Sequence, residues 1–407
     1  MNNPHKPAIP VHFYGLDAIR GIASIIVVLY HWQLFFYKDD IWFQDGYDKA
    51  SLPLYSWFEV FYNNGMVSVD LFFLLSGFIF FWLYADRLSS RKMKFGKFVV
   101  YRVSRLYPIH FAGLMLAALL QFLILKNLGH YFIFVFNDSY DFVLHLLFMQ
   151  NWGFERGPGF NAPSWSVSIE VLLYLMFYMV CFFRLQANRL FILLLIPVGA
   201  IMQHYDMLIG KGMFSFFMGG LVYYAYMDIL RQNKAKQYLK VIGIITLALW
   251  TYTIVGYYFS LTHQAWEWLR LHQLSHITPE ASEKIYPVLR NMLFRLTVSP
   301  CTILTLVLLE TVRRPLSSRW AILGNSSYAI YLLHFPLQLL IVLLFHQFNI
   351  SRQILSSPWS MLAFFSVLVT ISVAAYYWYE LPLQDKIRQL AFPKPPRLAV
   401  EVSDKKA

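Results

Sequence analysis

The sequence predicts an all-α protein, a polytopic transmembrane bundle of about ten helical spans, with nine to eleven as the range. Of its 407 residues, 58% are hydrophobic and only 14% are charged, whereas a soluble domain carries about 25% charged residues. Apolar stretches recur along the whole chain, and each extends far enough to cross a bilayer. Membrane lipids are therefore the expected surroundings of most of the chain.

The predicted spans follow the apolar runs and are separated by polar segments. They cover residues 16–36, 67–84, 106–125, 167–183, 190–205, 213–227, 239–261, 289–309, 326–348 and 360–381. The fifth and sixth are short, so one of them is expected to be tilted, re-entrant or buried within the bundle. With the N-terminus inside, the inside segments hold most of the 34 Lys and Arg residues. This bias predicts that both termini are cytoplasmic.

The remaining composition excludes two other functional classes. The net charge of +12 comes from basic residues in short loops, which topology explains better than nucleic-acid binding does. Cys181 and Cys301 are the two cysteines, and both lie in apolar runs. We therefore expect neither a disulfide framework nor a metal site.

Arg20 and His31 both lie on the first span. They are eleven residues apart, which at about 100° per residue returns them to within roughly 20° of one helix face. Their axial separation of about 16 Å places Arg20 near the cytoplasmic surface and His31 in the outer half of the membrane. Arg20 could instead snorkel to the interface, and His31 could simply hydrogen-bond a neighbouring helix. Together they favour a functional face, because ionisable residues inside spans are usually functional.

Two carboxylates are predicted to lie near His31. Asp70 falls a turn below the outer end of the second span, at a depth close to that of His31. A carboxylate that accepts a hydrogen bond from an imidazole fixes its tautomer and raises its basicity, although Asp70 could instead cap its own helix. Glu170 lies about a turn inside the outer end of the fourth span and could complete this outer site. Ser164 or Ser166 could cap the start of this helix, which explains the residues before Glu170. Capping does not explain why Glu170 itself, an acid, lies within the membrane.

At the cytoplasmic side, Arg102 and Arg105 share one face of the helix that enters the membrane. Arginine binds phosphate bidentately, so the pair suits a phosphorylated ligand. The neighbouring lysines that could add to this pocket are Lys92, Lys94 and Lys97. Positive-inside anchoring or contact with anionic lipids is the alternative explanation.

The ninth span begins with three residues that recur every three positions: Tyr328, Tyr331 and His334. Their hydroxyls and ring could line one cavity. Alternatively, Tyr328 anchors the helix at the interface and His334 bonds a neighbouring helix. Glu380 ends the tenth predicted span, where helix termination and pairing with an arginine explain it.

Five motifs in this order resemble the acyltransferase-3 family of membrane O-acyltransferases. They are Arg20-x10-His31, the Asp70-x-Phe-Phe-x-x-Ser-Gly-Phe78 run, Arg102-x-x-Arg105-x-x-Pro108, Trp165-Ser-x-x-x-Glu170 and Ser327-Tyr-x-x-Tyr-x-x-His334. The resemblance covers residues 13–390. It leaves residues 1–12 as a cytoplasmic N-terminal segment and 391–407 as a cytoplasmic tail, without an SGNH hydrolase-like domain.

The resemblance implies an enzyme of the cell inner membrane that moves an acyl group, usually acetyl, from cytoplasmic acetyl-CoA to a hydroxyl of a cell-surface or lipid-linked saccharide. It implies a central catalytic role for His31. It also implicates the charged residues Arg20, Asp70, Arg102, Arg105 and Glu170. Combined with the spacing, this predicts His31 as a general base oriented by Asp70, with donor contacts from Arg102, Arg105, Tyr328, Tyr331 and His334. A covalent acyl intermediate stays open, and the alternative function is a transporter or flippase of lipid-linked saccharide.

Overall fold

The computed structural model describes residues 9–42, 47–313 and 315–393, and these residues form sixteen α-helices without a β-strand. The helices are α1 (Tyr14–His31), α2 (Tyr55–Asn64), α3 (Val67–Leu83), α4 (Ala85–Ser89), α5 (Phe95–Leu128), α6 (Ser139–Leu146), α7 (Trp165–Phe182), α8 (Arg189–His204), α9 (Leu208–Arg231), α10 (Ala235–Tyr258), α11 (Leu261–Gln273), α12 (Pro279–Leu293), α13 (Ser299–Val312), α14 (Trp320–Gln347), α15 (Pro358–Ala375) and α16 (Leu381–Ala391). The all-α prediction is confirmed for this part of the chain. Residues 1–8 and 394–407, to which most of the predicted terminal segments belong, lie outside the described residues.

Eight helical stretches in the described residues are long and apolar enough to cross a membrane, or nine if α2 and α3 form one span bent by 58°. Every predicted span falls on helical residues, although 289–309 runs from the end of α12 through a π-helical turn into α13, and 360–381 runs from α15 through another into α16. The fifth falls on α8, a shorter apolar helix of 16 residues. The sixth falls on α9, which has 24 residues, so its predicted shortness is wrong. The count of ten spans and the cytoplasmic placement of both termini stay predictions.

The relative directions of the helices agree with alternating spans. Arg20 contacts Gly324 and His31 contacts His334, so α1 and α14 run parallel, as the first and ninth spans should. The helices α3 and α9, predicted as the second and sixth spans, also run parallel. Asp70 near the start of α3 lies close to Lys211 near the start of α9, and Leu74 in the middle of α3 lies against Gly219 in the middle of α9. The predicted common face of Arg20 and His31 is therefore confirmed: both side chains face α14.

A buried carboxylate holds the start of α1. Glu310 on α13 accepts hydrogen bonds from the backbone N–H groups of Tyr14 and Gly15, the first of which is 3.0 Å long. The first N–H groups of a helix have no partner within the helix and carry partial positive charge, so a carboxylate there stabilises the helix. Glu310 thereby ties the two helices together at the end of the bundle where Arg20 lies.

Tight packing of α3 against α9 depends on glycine. A Cβ atom built on Gly77 would overlap the carbonyl oxygen of Phe216, and one on Gly219 would overlap the carbonyl oxygen of Leu74. Small residues let helix backbones approach closely within a membrane. This approach brings α9 beside α3, which lines the cavity described below.

We expect Gly77→Ala to lower the free energy of unfolding by about 1–3 kcal/mol, because the added methyl group forces α3 and α9 apart. Unfolding with sodium dodecyl sulfate in mixed micelles measures this change. Gly96→Ala on α5 is the control, since a Cβ atom there meets nothing within 4 Å. Equal stabilities of the two variants would contradict the packing argument.

Candidate active site

A cavity of about 100 Å³ lies where α1, α3, α5, α7 and α14 meet. Six residues that the sequence singled out line it: Arg20, Arg102, Arg105, Glu170, Tyr328 and Tyr331. Apolar side chains from α3 form much of the remaining wall, among them Phe72, Leu75 and Ile79. The cavity therefore combines three guanidinium groups with an apolar wall inside a membrane bundle.

Aromatic rings surround Arg102. Its guanidinium carbon lies 4.7 Å from the ring centre of Phe80 and 4.9 Å from that of Tyr174, and it donates to the hydroxyls of Tyr84 and Tyr174 at 3.3 Å. Its Nε atom is buried without a hydrogen-bond partner in the described residues. No carboxylate among those residues forms a salt bridge with it. The guanidinium group can therefore form charge-assisted hydrogen bonds with an anion that enters the cavity.

Glu170 lies in the same cavity as the arginines. It accepts hydrogen bonds from the hydroxyls of Ser76 at 3.0 Å and Tyr174 at 2.6 Å. Tyr174 also contacts Arg102, so one tyrosine joins the carboxylate to the guanidinium. Its hydrogen-bond partners among the described residues lie on α3 and α7, and the idea that Glu170 completes an outer site with His31 stays a prediction.

The other two arginines differ in how firmly they are held. Arg20 donates to Asp17 at 2.8 Å, to the Gly324 carbonyl at 2.7 Å and to Ser327 at 3.1 Å. Arg105 lines the cavity without a hydrogen bond to another described residue. Arg20 is thus fixed between α1 and α14, whereas Arg105 is free to follow a ligand.

The predicted lysine contribution is not seen in the described residues. None of Lys92, Lys94 and Lys97 lines the cavity, and Lys97 instead lies 5.9 Å from the ring centres of Tyr101 and Phe392. Glu380 does not end its helix either. It is buried within a π-helical turn that continues into α16. No salt bridge within 4.0 Å reaches it in the described residues, but Arg105 and Arg20 are near enough to interact with its charge, as the predicted pairing with an arginine requires.

His31 and His334 form a stacked pair. Their ring centres are 4.9 Å apart with 29° between the planes, and His31 Nδ1 lies 3.2 Å from His334 Nε2. His334 Nδ1 lies 2.6 Å from the carbonyl oxygen of Tyr331, and Gln338 donates to the carbonyl of His31 at 2.8 Å. Both rings are buried. The structure therefore places His334 against His31 rather than on the cavity wall, where it was predicted.

These contacts define which nitrogen carries the proton in each neutral ring. A carbonyl oxygen can only accept, so His334 Nδ1 is the protonated nitrogen. His334 Nε2 then has a lone pair that faces His31 Nδ1, and the Val27 carbonyl one turn earlier on α1 is a second acceptor for the His31 ring, so we assign the His31 proton to Nδ1. The lone pair of His31 is consequently on Nε2. This is the arrangement that prepares an imidazole to take up a proton.

Tyr331 connects the cavity with the histidine pair. Its ring lines the cavity, its hydroxyl accepts from Ser166 at 2.8 Å and donates to the Pro163 carbonyl, and its own carbonyl accepts from His334. His334 follows it by three residues, about 4.5 Å along the helix. The cavity wall at Tyr331 is therefore about one helical turn from His334.

Asp70 does not orient His31. Its carboxylate lies 3.6 Å from Lys211 Nζ and 3.8 Å from Arg295 Nε, and it accepts from the Ser215 hydroxyl at 3.5 Å. The predicted hydrogen bond between Asp70 and His31 is therefore wrong, and His334 occupies that position. Sequence reasoning missed Lys211 and Arg295, although Arg295 was visible as a charged residue within the predicted eighth span.

The fold and this site define an all-helical, multi-pass membrane protein whose arginine-lined cavity leads toward a histidine pair. Residues 13–377 match the family described as an acyltransferase domain, and the chain belongs to this family, the acyltransferase-3 family. The resemblance predicted from the five motifs is thus confirmed.

Two curated proteins are similar to part of the chain. Protein 2 in the picA locus of Rhizobium radiobacter is 35% identical over 109 residues, which are 27% of this chain and 46% of that protein. Acyltransferase MdmB of Streptomyces mycarofaciens is 33% identical over 116 residues, which are 28% of this chain and 27% of that protein. The chain therefore spans less than half the length of either relative. No solved structure matches it significantly.

Proposed function

We propose that this protein transfers an acyl group, acetyl in the simplest case, from cytoplasmic acyl-CoA to a hydroxyl of a cell-surface or lipid-linked saccharide. The proposal rests on one observation. A cavity lined by Tyr331 and by a guanidinium group that lacks a salt bridge in the described residues lies about one helical turn from a buried pair of imidazoles. We place the enzyme in the cell inner membrane, with the arginine end of the cavity toward the cytoplasm.

The arginines would bind the donor through its phosphates. Arg102 and Arg105 offer charge-assisted hydrogen bonds to phosphate oxygens, and Arg105 has no competing bond in the described residues. The narrow pantetheine arm would extend along the apolar wall of α3 toward Tyr331. This direction brings the thioester toward His31, while the bulky nucleotide stays at the arginines.

Acyl transfer then needs one base and one leaving group. His31 Nε2 takes the proton from the acceptor hydroxyl as that oxygen attacks the thioester carbonyl carbon. The C–S bond breaks, the CoA sulfur leaves as a thiolate, and the imidazolium of His31 returns the proton to it. His334 holds the Nδ1 proton of His31 throughout, so it positions the base without touching the substrates.

The comparisons support acyl transfer over transport. Family membership covers most of the chain, and MdmB bears the name acyltransferase. A transporter or flippase of lipid-linked saccharide would also have charged residues in a cavity between helices. It would not require a stacked histidine pair with one defined tautomer.

Transfer of label decides between the two functions. Membrane vesicles that contain the protein are incubated with acetyl-CoA labelled in the acetyl group, and the glycolipids are then extracted. We expect alkali-labile label in the saccharide fraction and one free CoA thiol for each acetyl group transferred. Donor labelled only in the CoA moiety is the control. Movement of saccharide across the membrane without thiol release would instead identify a transporter.

A further inference from the structure

Two buried charged side chains and a half-buried one meet at the end of the bundle where His31 lies. Asp70 lies in the first turn of α3, Lys211 near the start of α9 and Arg295 in the π-helical turn before α13. Gly65, just before α3, packs against Tyr30 next to His31, so this cluster and the histidine pair share one end. The proposed donor phosphates lie at the opposite end.

The charges in this cluster do not balance. The exposed fractions of the side chains are 2% for Asp70, 5% for Arg295 and 14% for Lys211. Among the described residues, Asp70 is the only carboxylate within salt-bridge distance of either cation. The cluster therefore carries one excess positive charge. Arg295 also donates to the Gln203 side chain and the Asn291 carbonyl, but these neutral acceptors do not cancel its charge. A net charge in a membrane interior is costly, and an anion would compensate it.

Asp70 also binds its partners loosely. The contacts of 3.6 Å to Lys211 and 3.8 Å to Arg295 exceed the 2.7–2.9 Å that is usual for charge-assisted hydrogen bonds. The other contact of the Lys211 ammonium with an oxygen, the Met66 carbonyl, is 3.5 Å long. Lys211 thus has donors that no close acceptor satisfies. It also has the largest exposed surface of the three, beside the Trp165 ring.

We propose that Lys211 and Arg295 bind a phosphate-type oxyanion at this end of the bundle, with Lys211 on the side from which the anion enters. The anion supplies the negative charge that Asp70 alone does not. That it belongs to the lipid carrier of the saccharide acceptor rests on the proposed function. Anion binding itself does not depend on acyl transfer.

Charge counting gives each variant its own expected result. In Lys211→Gln the cluster becomes a neutral pair of Asp70 and Arg295, so the protein should fold and bind the anion at least about tenfold more weakly. In Asp70→Asn the competing carboxylate is lost, so the anion should bind more tightly than in the wild type. A purely structural ion cluster predicts lower stability for Asp70→Asn and no gain in affinity.

The measurement is the thermal unfolding midpoint in phosphatidylcholine nanodiscs, titrated with phosphatidic acid. Diacylglycerol, which has the same tails without phosphate, is the ligand control, and Lys126→Gln, an exposed lysine on α5, is the protein control. We expect phosphatidic acid to raise the unfolding midpoint to a plateau in the wild type and in Lys126→Gln. Lys211→Gln should need more phosphatidic acid to reach half of the plateau, and Asp70→Asn should need less. A response to inorganic phosphate as well would mean that the anion enters from water rather than only with a lipid.

The proposal is overturned if phosphatidic acid and inorganic phosphate leave the wild-type midpoint unchanged, or if Lys211→Gln responds as the wild type does. If Lys211→Gln does not fold, the Asp70→Asn titration decides between the two explanations. Tighter binding of phosphatidic acid than in the wild type supports the anion site, and no gain in affinity contradicts it. The same titration on His31→Ala separates the two proposals. Anion binding should persist there whether or not that variant transfers acyl groups.

Discussion

Replacing His31 by alanine is expected to lower kcat/KM for acyl transfer by about a hundred- to ten-thousandfold, the range for loss of a general base. Donor affinity should stay near the wild-type value, because the arginines that would bind the phosphates line the cavity and His31 does not. Initial rates with labelled acetyl-CoA, together with equilibrium binding in nanodiscs, measure both quantities. Activity of His31→Ala close to that of the wild type would remove the proposed base.

His334 provides the matched variants for this test. His334→Phe keeps a ring but removes the side-chain acceptor that faces His31 Nδ1, so kcat should fall with little change in donor affinity. His334→Gln offers a side-chain oxygen at a similar place and should recover part of the lost rate. A packing role alone predicts the reverse order, because phenylalanine preserves the stacked ring and glutamine does not.

Replacing Arg102 by glutamine is expected to weaken acetyl-CoA binding about ten- to hundredfold, because one charge-assisted interaction with phosphate is lost. Arg102→Lys should recover only part of this affinity, since lysine keeps the charge but loses the planar guanidinium that stacks on Phe80 and Tyr174. Isothermal titration with acetyl-CoA in detergent measures the dissociation constants.

The specificity of this effect is tested with an arginine outside the cavity. Arg87 on α4 is exposed and does not line the cavity, so Arg87→Gln should bind acetyl-CoA as the wild type does. Dephospho-CoA lacks one of the phosphates, so the difference in affinity between wild type and Arg102→Gln should be smaller for it than for acetyl-CoA. Free pantetheine lacks all of them, so the two proteins should bind it equally. Equal affinity of wild type and Arg102→Gln for acetyl-CoA would place the donor phosphates elsewhere.

The sequence by itself determined the helices and the polar faces along each of them. Hydrophobicity and the period of 3.6 residues are local properties, so the spans and the common face of Arg20 and His31 could be predicted from one stretch of chain. The same holds for Arg102 and Arg105, which share a helix face by their spacing. Tyr328 and Tyr331 reach the cavity for the same reason.

Only the tertiary structure decided which polar groups meet across helices. Depth in the membrane placed Asp70 and Glu170 near His31, yet depth leaves the rotation and neighbours of each helix open. Packing turned Asp70 toward Lys211 and brought His334, 303 residues away in the chain, onto His31. Pairing between distant segments depends on how whole helix surfaces fit together, and no local pattern in the sequence encodes that fit.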